Sequence, residues 1–215
     1  DPPAKADAAA LAAWNEEHPN SVAGLLTWAQ RLGDAGQWEE AKVPLKRLLG
    51  IYSGAGAETA YLLLAKAHRE LDEPIAERQV LEELAHADSA ADGVYLRLTE
   101  LSAAAEDWER LAINARRLLA VNPMLRSGHR HLARAAEELG DSDAAIGAYG
   151  ALLKLDPIDP VEAHFRLARL LKVKGQNDLA RRNVLKALEE APRYRAAQRL
   201  LLEIVDLPEG AAGKE

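Results

Sequence analysis

The feature that most constrains this fold is an internal repeat between residues 126 and 192. Residues 129–136 read HRHLARAA and residues 164–171 read HFRLARLL, a shift of 35 residues. Three further pairs, which mark a turn, a packing position and a stop, show the same shift: Gly140 and Gly175, Ala145 and Ala180, and Pro157 and Pro192. A period of roughly 20 to 50 residues is typical of a solenoid or another repeat array. The chain is therefore expected to fold by stacking similar units.

The two copies resemble tetratricopeptide repeats. A unit of that family, about 34 residues long, is a helix hairpin with small residues at set packing positions, a turn between its helices and a Pro near its end. The six matching places hold Ala133, Gly140, Ala145, Tyr149, Leu152 and Pro157 in one copy, and Ala168, Gly175, Ala180, Val184, Ala187 and Pro192 in the other. The resemblance implies an all-α fold, an α-solenoid of antiparallel helix hairpins forming a right-handed superhelix.

Extending this register in both directions predicts a single array from residue 5 to residue 205, with about five repeats. Its parts are a lone helix at 5–18, repeats at about 22–55, 58–89, 92–125, 126–160 and 161–194, and a closing helix at 195–205. Residues 1–4 are expected to be a disordered start, and residues 206–215 a flexible tail. The register gives five hairpins flanked by single helices, about twelve helices in all.

Several residues predict local details of these helices. Ser21 and Asp159 are expected as N-caps, and Pro74 and Pro160 as first-turn residues, the place in a helix where proline is best tolerated. Pro44 falls inside a predicted helix, so either a kink or a late helix start is expected there. The repeat at 92–125 has no turn glycine, which predicts a splayed hairpin. The Gly-rich residues 53–56 are expected to form a plain turn between repeats.

The composition fits a helical array and excludes several kinds of site. Of the 215 residues 48% are hydrophobic, mostly Ala and Leu, and only 5% are aromatic. The chain is therefore poor in the aromatic residues that favour strands. No strands are expected. The absence of Cys excludes disulfides and Cys-ligated zinc. No apolar run approaches the ~18 residues that indicate a transmembrane helix, so no membrane span is expected.

The net charge of −7 is unevenly distributed. Residues 1–125 carry −8, residues 126–205 carry +3 and the last ten carry −2. This balance argues against nucleic-acid binding, which favours a basic domain, but it allows a local basic surface in the second half. The Asp-Pro-Pro start is compatible with a mature secreted product and with a piece excised from a longer protein. Cytoplasmic and periplasmic or secreted locations both stay open.

The sequence contains no recognisable catalytic constellation. His68, His129 and His164 fall at places where the repeat packs a bulky side chain, so all three are expected to be structural. The zinc-protease motif His-Glu-x-x-His and the nucleophile pattern Gly-x-Ser-x-Gly are both absent. The prediction is a protein without catalytic residues, metal ligands or cofactors.

The resemblance also implies a ligand groove lined by the first helix of each hairpin. Carried over residue by residue, the groove comprises Leu26, Leu62, Lys66, Arg69, Leu96, Arg130, Arg134, Phe165, Arg169, Lys172 and Arg199. An apolar entry would lead into a basic stretch that suits an acidic peptide. The alternative is that these cations are ordinary solubilising residues. Leu26, Gln30 and Leu63 stand where the family's chaperone-binding members need Lys, Asn and Asn, which argues against that role.

The leading hypothesis is a non-catalytic protein-interaction scaffold that holds a peptide or a partner helix in its concave groove. One alternative is the C-terminal regulatory or substrate-presenting module of a larger bacterial enzyme, such as a gluzincin-type peptidase. Another is a self-assembling array whose end helices stack on other copies.

Overall fold

The computed structural model describes residues 2–3, 6–52, 57–87, 92–155 and 159–205, and every regular element in these ranges is an α-helix. The helices are α1 (Ala8–Glu17), α2 (Val22–Asp34), α3 (Trp38–Ile51), α4 (Glu58–Glu70), α5 (Pro74–Ala87), α6 (Asp92–Ala104), α7 (Trp108–Val121), α8 (Arg126–Glu138), α9 (Ser142–Lys154), α10 (Pro160–Val173), α11 (Asn177–Glu190) and α12 (Arg195–Val205). The all-α prediction is confirmed. None of these helices has the length and apolar character needed to cross a bilayer.

The chain forms two compact units that divide between Leu101 and Ser102, inside α6. In the first unit, each helix from α1 to α4 packs on the next helix in the chain. In the second unit, the same succession of contacts runs from α7 to α12. Each unit is therefore a stack of antiparallel hairpins, which confirms a solenoid architecture.

Small side chains at the helix crossings allow this close stacking. Ala133, Ala145, Ala168 and Ala180 are all completely buried in the core of the second unit. Tyr149 joins the same core from α9. A methyl group fills little space, so two helices can approach closely at each such position. The packing positions expected from the repeat are therefore buried.

Five hairpin turns share one geometry. In each, one residue has a left-handed backbone conformation: Gly36, Asp72, Glu106, Gly140 and Gly175. The following backbone N–H then donates to a carbonyl five residues earlier, as from Gln37 to Leu32 (2.9 Å) and from Asp107 to Ser102 (3.0 Å). This is the hydrogen bond of a Schellman motif, which satisfies a carbonyl at the end of a helix. The missing glycine at 106 does not open the turn, because Glu106 adopts the same conformation with φ at 53°.

Replacing Glu106 by Gly is expected to stabilise the protein by about 1 kcal/mol. A left-handed conformation costs a residue with a Cβ roughly 1–2 kcal/mol, whereas glycine adopts it freely. Urea unfolding of the two proteins measures the difference in free energy. Glu106→Ala is the control, because it removes the carboxylate and keeps the strain. An equal gain in both variants would attribute the effect to charge.

The starts of the helices follow the sequence signals with two exceptions. Ser21 caps α2, since its Oγ accepts from Gly24 N at 3.1 Å, and Pro74 opens α5 as expected. Asp159 precedes Pro160 at the start of α10, but its side chain makes no capping hydrogen bond. Pro44 does not delay its helix, because α3 begins at Trp38, so a late start is wrong there.

Three of the local expectations lie outside the described residues. These are the turn at 53–56, the tail at 206–215 and Pro157 of the fourth repeat. At the other end of the chain, α1 begins at Ala8, where Asp7 Oδ1 accepts from Ala10 N at 2.8 Å.

Candidate ligand cleft

A cleft of about 680 Å³ opens in the second unit between α8, α9 and α10. Its lining residues are Arg130, Arg134, Glu138, Tyr149, Leu152, Asp159, Glu162, Ala163 and Arg166. The first three come from α8, Tyr149 and Leu152 from α9, and the rest from α10 and the residue before it. The cleft thus has two charged walls with an aromatic and an aliphatic side chain between them.

The α8 wall follows directly from sequence spacing. Arg130, Arg134 and Glu138 are four residues apart, so they lie on one face of the helix. The Arg134 guanidinium lies 4.9 Å from the centre of the Trp108 ring, within the range of a cation–π contact. Arg130 is exposed, and neither it nor Arg134 has a carboxylate partner among the described residues. Both guanidinium groups keep hydrogen-bond donors available to a ligand.

The α10 wall, in contrast, is occupied by an internal network. Arg166 donates from Nε to Glu162 Oε1 at 2.6 Å and from Nη1 to Glu137 Oε2 at 3.0 Å. Burial lowers the pKa of Arg166, but its hydrogen bonds to these two carboxylates outweigh burial and raise it. The Arg166 charge is therefore balanced within the protein and is much less available to a ligand than those on α8.

Glu137 anchors this network below the cleft. Its side chain is only 8% exposed, and its Oε2 also accepts from the Tyr149 hydroxyl at 2.6 Å. Burial, and next the hydrogen bond to Glu137, raise the pKa of Tyr149 above the ordinary phenol value. The hydroxyl consequently stays protonated as a donor over the physiological pH range. Its ring is held in place as part of the cleft surface.

Two carboxylates of the cleft have no internal partner among the described residues. Glu138 continues the α8 wall beyond Arg134, and Asp159 lies at the start of α10 without capping it. The lining contains three arginines and three carboxylates, so its formal charges balance. Because Arg166 and Glu162 neutralise each other, the groups left for a ligand are Arg130 and Arg134 on one side and Glu138 and Asp159 beyond them.

A second, more apolar cavity of about 580 Å³ adjoins the cleft. It is lined by Asp159, Val161, Glu162, Ala191, Pro192, Arg193 and Tyr194. The Tyr194 hydroxyl donates to Glu162 Oε2 at 2.8 Å, and its ring packs against Phe165 with centroids 5.0 Å apart. Burial, followed by the hydrogen bond to Glu162, raises the pKa of Tyr194 to about 12. Asp159 and Glu162 line both spaces.

Of the groove residues expected in the second unit, only Arg130 and Arg134 line the cleft. Phe165 packs on Tyr194 and the core. Arg169 lies 3.7 Å from Glu137 Oε1, and Lys172 donates to Glu203 at 2.5 Å. Arg199 is exposed on α12. Their roles in ligand binding stay predictions.

The first unit contains the other five expected groove residues. Lys66 lies 5.0 Å from the centre of the Trp38 ring, and Arg69 donates to the buried carboxylate of Glu77 at 2.8 Å. Leu62 is exposed, whereas Leu26 and Leu96 are half-buried. The two cations already have internal partners, so they are weaker candidates for ligand binding than Arg130.

Sequence reasoning did not single out Arg166, Glu162 and Tyr194 as site residues. The pair Glu162 and Arg166 carries a detectable signal, because an acid four residues before a base favours an ion pair on one helix face. Tyr194 carries none, since it lies 32 residues from Glu162 in sequence and reaches it only through folding.

The three histidines expected to be structural all contact protein groups. His68 is 6% exposed, with Nδ1 2.5 Å from Glu73 Oε2. His129 Nε2 lies 2.9 Å from the Pro123 carbonyl oxygen, and His164 Nδ1 lies 2.9 Å from Asn183 Oδ1. Within the described residues, no group of three or more His, Asp or Glu side chains could hold a metal ion.

The stacked hairpins and the recurrent turn define the class of the protein: it is an α-helical repeat protein. The tetratricopeptide-repeat family pattern matches residues 131–159, which include the second half of α8 and all of α9. Over these residues the chain is similar to a tetratricopeptide repeat.

Solved structures share this fold at low sequence identity. YrrB, a TPR protein with an unusual peptide-binding site, is 17% identical with a TM-score of 0.62, over 89% of this chain and 97% of its own. MamA is 19% identical with a TM-score of 0.56, over 78% of this chain and 96% of its own. No curated protein sequence matches the chain. These likenesses establish the fold.

Proposed function

We propose that this protein is a non-catalytic interaction scaffold that binds a peptide segment of another protein in the cleft between α8, α9 and α10. One observation carries the proposal: Arg130 and Arg134 line the cleft without carboxylate partners among the described residues. They lie one helical turn apart beside the ring of Tyr149 and the side chain of Leu152. A charged wall beside an apolar surface suits a peptide that carries both kinds of side chain.

The chemistry of the wall favours an acidic group in the ligand. A guanidinium has five N–H donors in a planar fork that matches the two oxygens of a carboxylate. The contact of Arg134 with Trp108 limits its freedom before binding, which lowers the entropy lost when the ligand binds. Beyond the arginines, Asp159 can accept from a backbone N–H or a basic side chain of the ligand.

The test is charge reversal of the α8 wall. The double variant Arg130→Glu and Arg134→Glu is expected to weaken binding of peptides, selected by the full-length chain from a displayed random library, by about tenfold or more. Binding by the wild-type chain should also weaken with added salt, because part of it is charge attraction. Isothermal titration calorimetry measures both effects.

A matched control separates the cleft from general charge. Arg181→Glu and Arg182→Glu make the same change on the exposed side of α11, outside the lining of the cleft. This control is expected to bind like the wild type. Selected peptides without acidic residues, or an equal loss in both double variants, would contradict the proposal.

Self-association is a second candidate function. Leu202 and Val205 on the closing helix α12 are 64% and 56% exposed. Apolar side chains at the end of a repeat stack can pack against another copy. Light scattering at rising concentration would detect such assembly, and Leu202→Glu should abolish it. The module of a larger bacterial enzyme stays a proposal from the sequence alone.

A further inference from the structure

The cleft and the apolar cavity beside it meet at the start of α10. Asp159 and Glu162 line both spaces, so the two spaces are adjacent. Arg130 and Arg134 lie only in the first space, and Val161, Pro192 and Tyr194 only in the second. The lining therefore changes, across one pair of carboxylates, from two exposed arginines to a mainly apolar set of residues in which Arg193 is the basic side chain.

The second cavity has the character of a side-chain pocket. Val161 and Tyr194 are half-buried, and with Ala191 and Pro192 they present mainly carbon atoms. Both oxygens of Glu162 already accept hydrogen bonds, one from Arg166 and one from the Tyr194 hydroxyl. This carboxylate therefore gains little from a further hydrogen bond to a polar group of the ligand. An apolar side chain would gain most by leaving water here, because its burial removes no hydrogen bond.

The pocket is also largely preformed. Tyr194 is held on two sides, by its hydrogen bond to Glu162 and by the Phe165 ring. A wall that is ordered before binding loses little entropy when the ligand arrives. Asp159, which does not cap α10, keeps its carboxylate free at the junction for an N–H of the ligand backbone.

We propose that the two spaces form one bipartite site, which binds a protein segment with an acidic side chain on Arg130 and Arg134 and a Leu- or Phe-sized side chain in the pocket around Val161. This inference rests on the proposed function, since it adds a second specificity position to the same cleft. The segment belongs to another protein. The separation of its two anchor residues is set by the passage across Asp159.

The experiment uses the full chain and synthetic peptides with blocked ends. Each peptide has one Asp and one Phe separated by one to five Gly or Ser residues, and its partner peptide has Ala in place of Phe. At the best spacing, the wild-type chain is expected to prefer the Phe peptide by about tenfold, because a largely buried aromatic side chain contributes on that scale. Calorimetry or NMR titration measures the preference.

Two variants assign this preference to the pocket. Val161→Glu puts a carboxylate among the apolar walls and is expected to abolish the preference for Phe. An acid is tolerated in the first turn of a helix, so α10 should persist. Val161→Ala is expected to reduce the preference by about threefold through lost contact. Val173→Glu is the control, because Val173 lies on the same helix, is 78% exposed and is outside the pocket lining.

The outcomes separate this inference from the proposed function. If Val161→Glu and Val161→Ala keep the wild-type preference, the pocket is not a subsite, although dependence on Arg130 and Arg134 would still support the cleft. If charge reversal at those arginines leaves peptide binding unchanged, or if no peptide binds, the proposed function fails and the bipartite site fails with it. The inference also fails if Phe and Ala peptides bind equally to the wild type.

Discussion

Replacing Glu77 by Gln is expected to lower the free energy of unfolding of the first unit by about 3 kcal/mol. Glu77 is 1% exposed, and its carboxylate joins arginines from two other helices. Oε1 accepts from Arg69 Nε and Arg97 Nε, both at 2.8 Å, and Oε2 accepts from Arg97 Nη2 at 2.9 Å. Arg69 and Arg97 are 48% and 28% exposed, so the cost comes from their hydrogen bonds to the buried carboxylate, each of which contributes about 1.5–3 kcal/mol.

Urea unfolding followed by tryptophan fluorescence measures this loss. Trp14, Trp28 and Trp38, three of the four tryptophans, lie in the first unit, so the signal reports mainly on it. The control is Glu83→Gln, an identical change at an exposed position of α5, which is expected to alter stability by less than about 0.5 kcal/mol. Equal effects of the two substitutions would show that the Glu77 cluster contributes no net stability.

The same carboxylate makes a prediction about pH. Burial raises the pKa of Glu77, but the hydrogen bonds from Arg97 and Arg69 outweigh burial and place the pKa below its ordinary value of 4.5. A lowered pKa in the folded state contributes stability that is fully present above the ordinary value and is lost as pH falls through the lowered one. The difference between wild type and Glu77→Gln should therefore be constant above the ordinary value of 4.5 and shrink as the pH falls below it.

Enlarging the small residues of the second unit should also destabilise the fold. Ala145→Leu and Ala180→Leu are each expected to cost roughly 1–3 kcal/mol, because both alanines are completely buried and the added carbons would overpack the core. Circular dichroism during thermal unfolding measures the effect. Each kcal/mol should lower Tm by about 2–4 °C in a chain of this size.

The control for this overpacking is Ala196→Leu on α12. Ala196 is exposed, so the same added carbons meet solvent and should leave Tm nearly unchanged. If both buried variants melt like the wild type, the helices are not closely packed at these alanines, and the repeat register would be wrong.

The repeating elements of this protein could be predicted from its amino-acid sequence. A period of 35 residues, with glycines at 140 and 175 and alanines at 145 and 180, was enough to predict helix hairpins, their turns and their buried positions. Such features are local, because backbone conformation and the amphipathic period depend on residues within a few turns of each other. Even at Glu106 the chain forms the same turn as in the other hairpins, because the hydrogen bond that closes the turn joins backbone atoms.

Which charges are paired and which are free depends on how the hairpins pack together. Arg166, absent from the residues expected to bind ligand, meets Glu137 29 residues away, and Arg169, which was expected there, lies beside the same carboxylate. Sequence spacing gives the face of a helix but not the partner that another hairpin brings to it. Charge availability depends on distances across helices, and those distances exist only once the stack has formed. Arg130 and Arg134 are therefore distinguished from Arg69, Arg169 and Lys172 by packing, although all belong to similar helices.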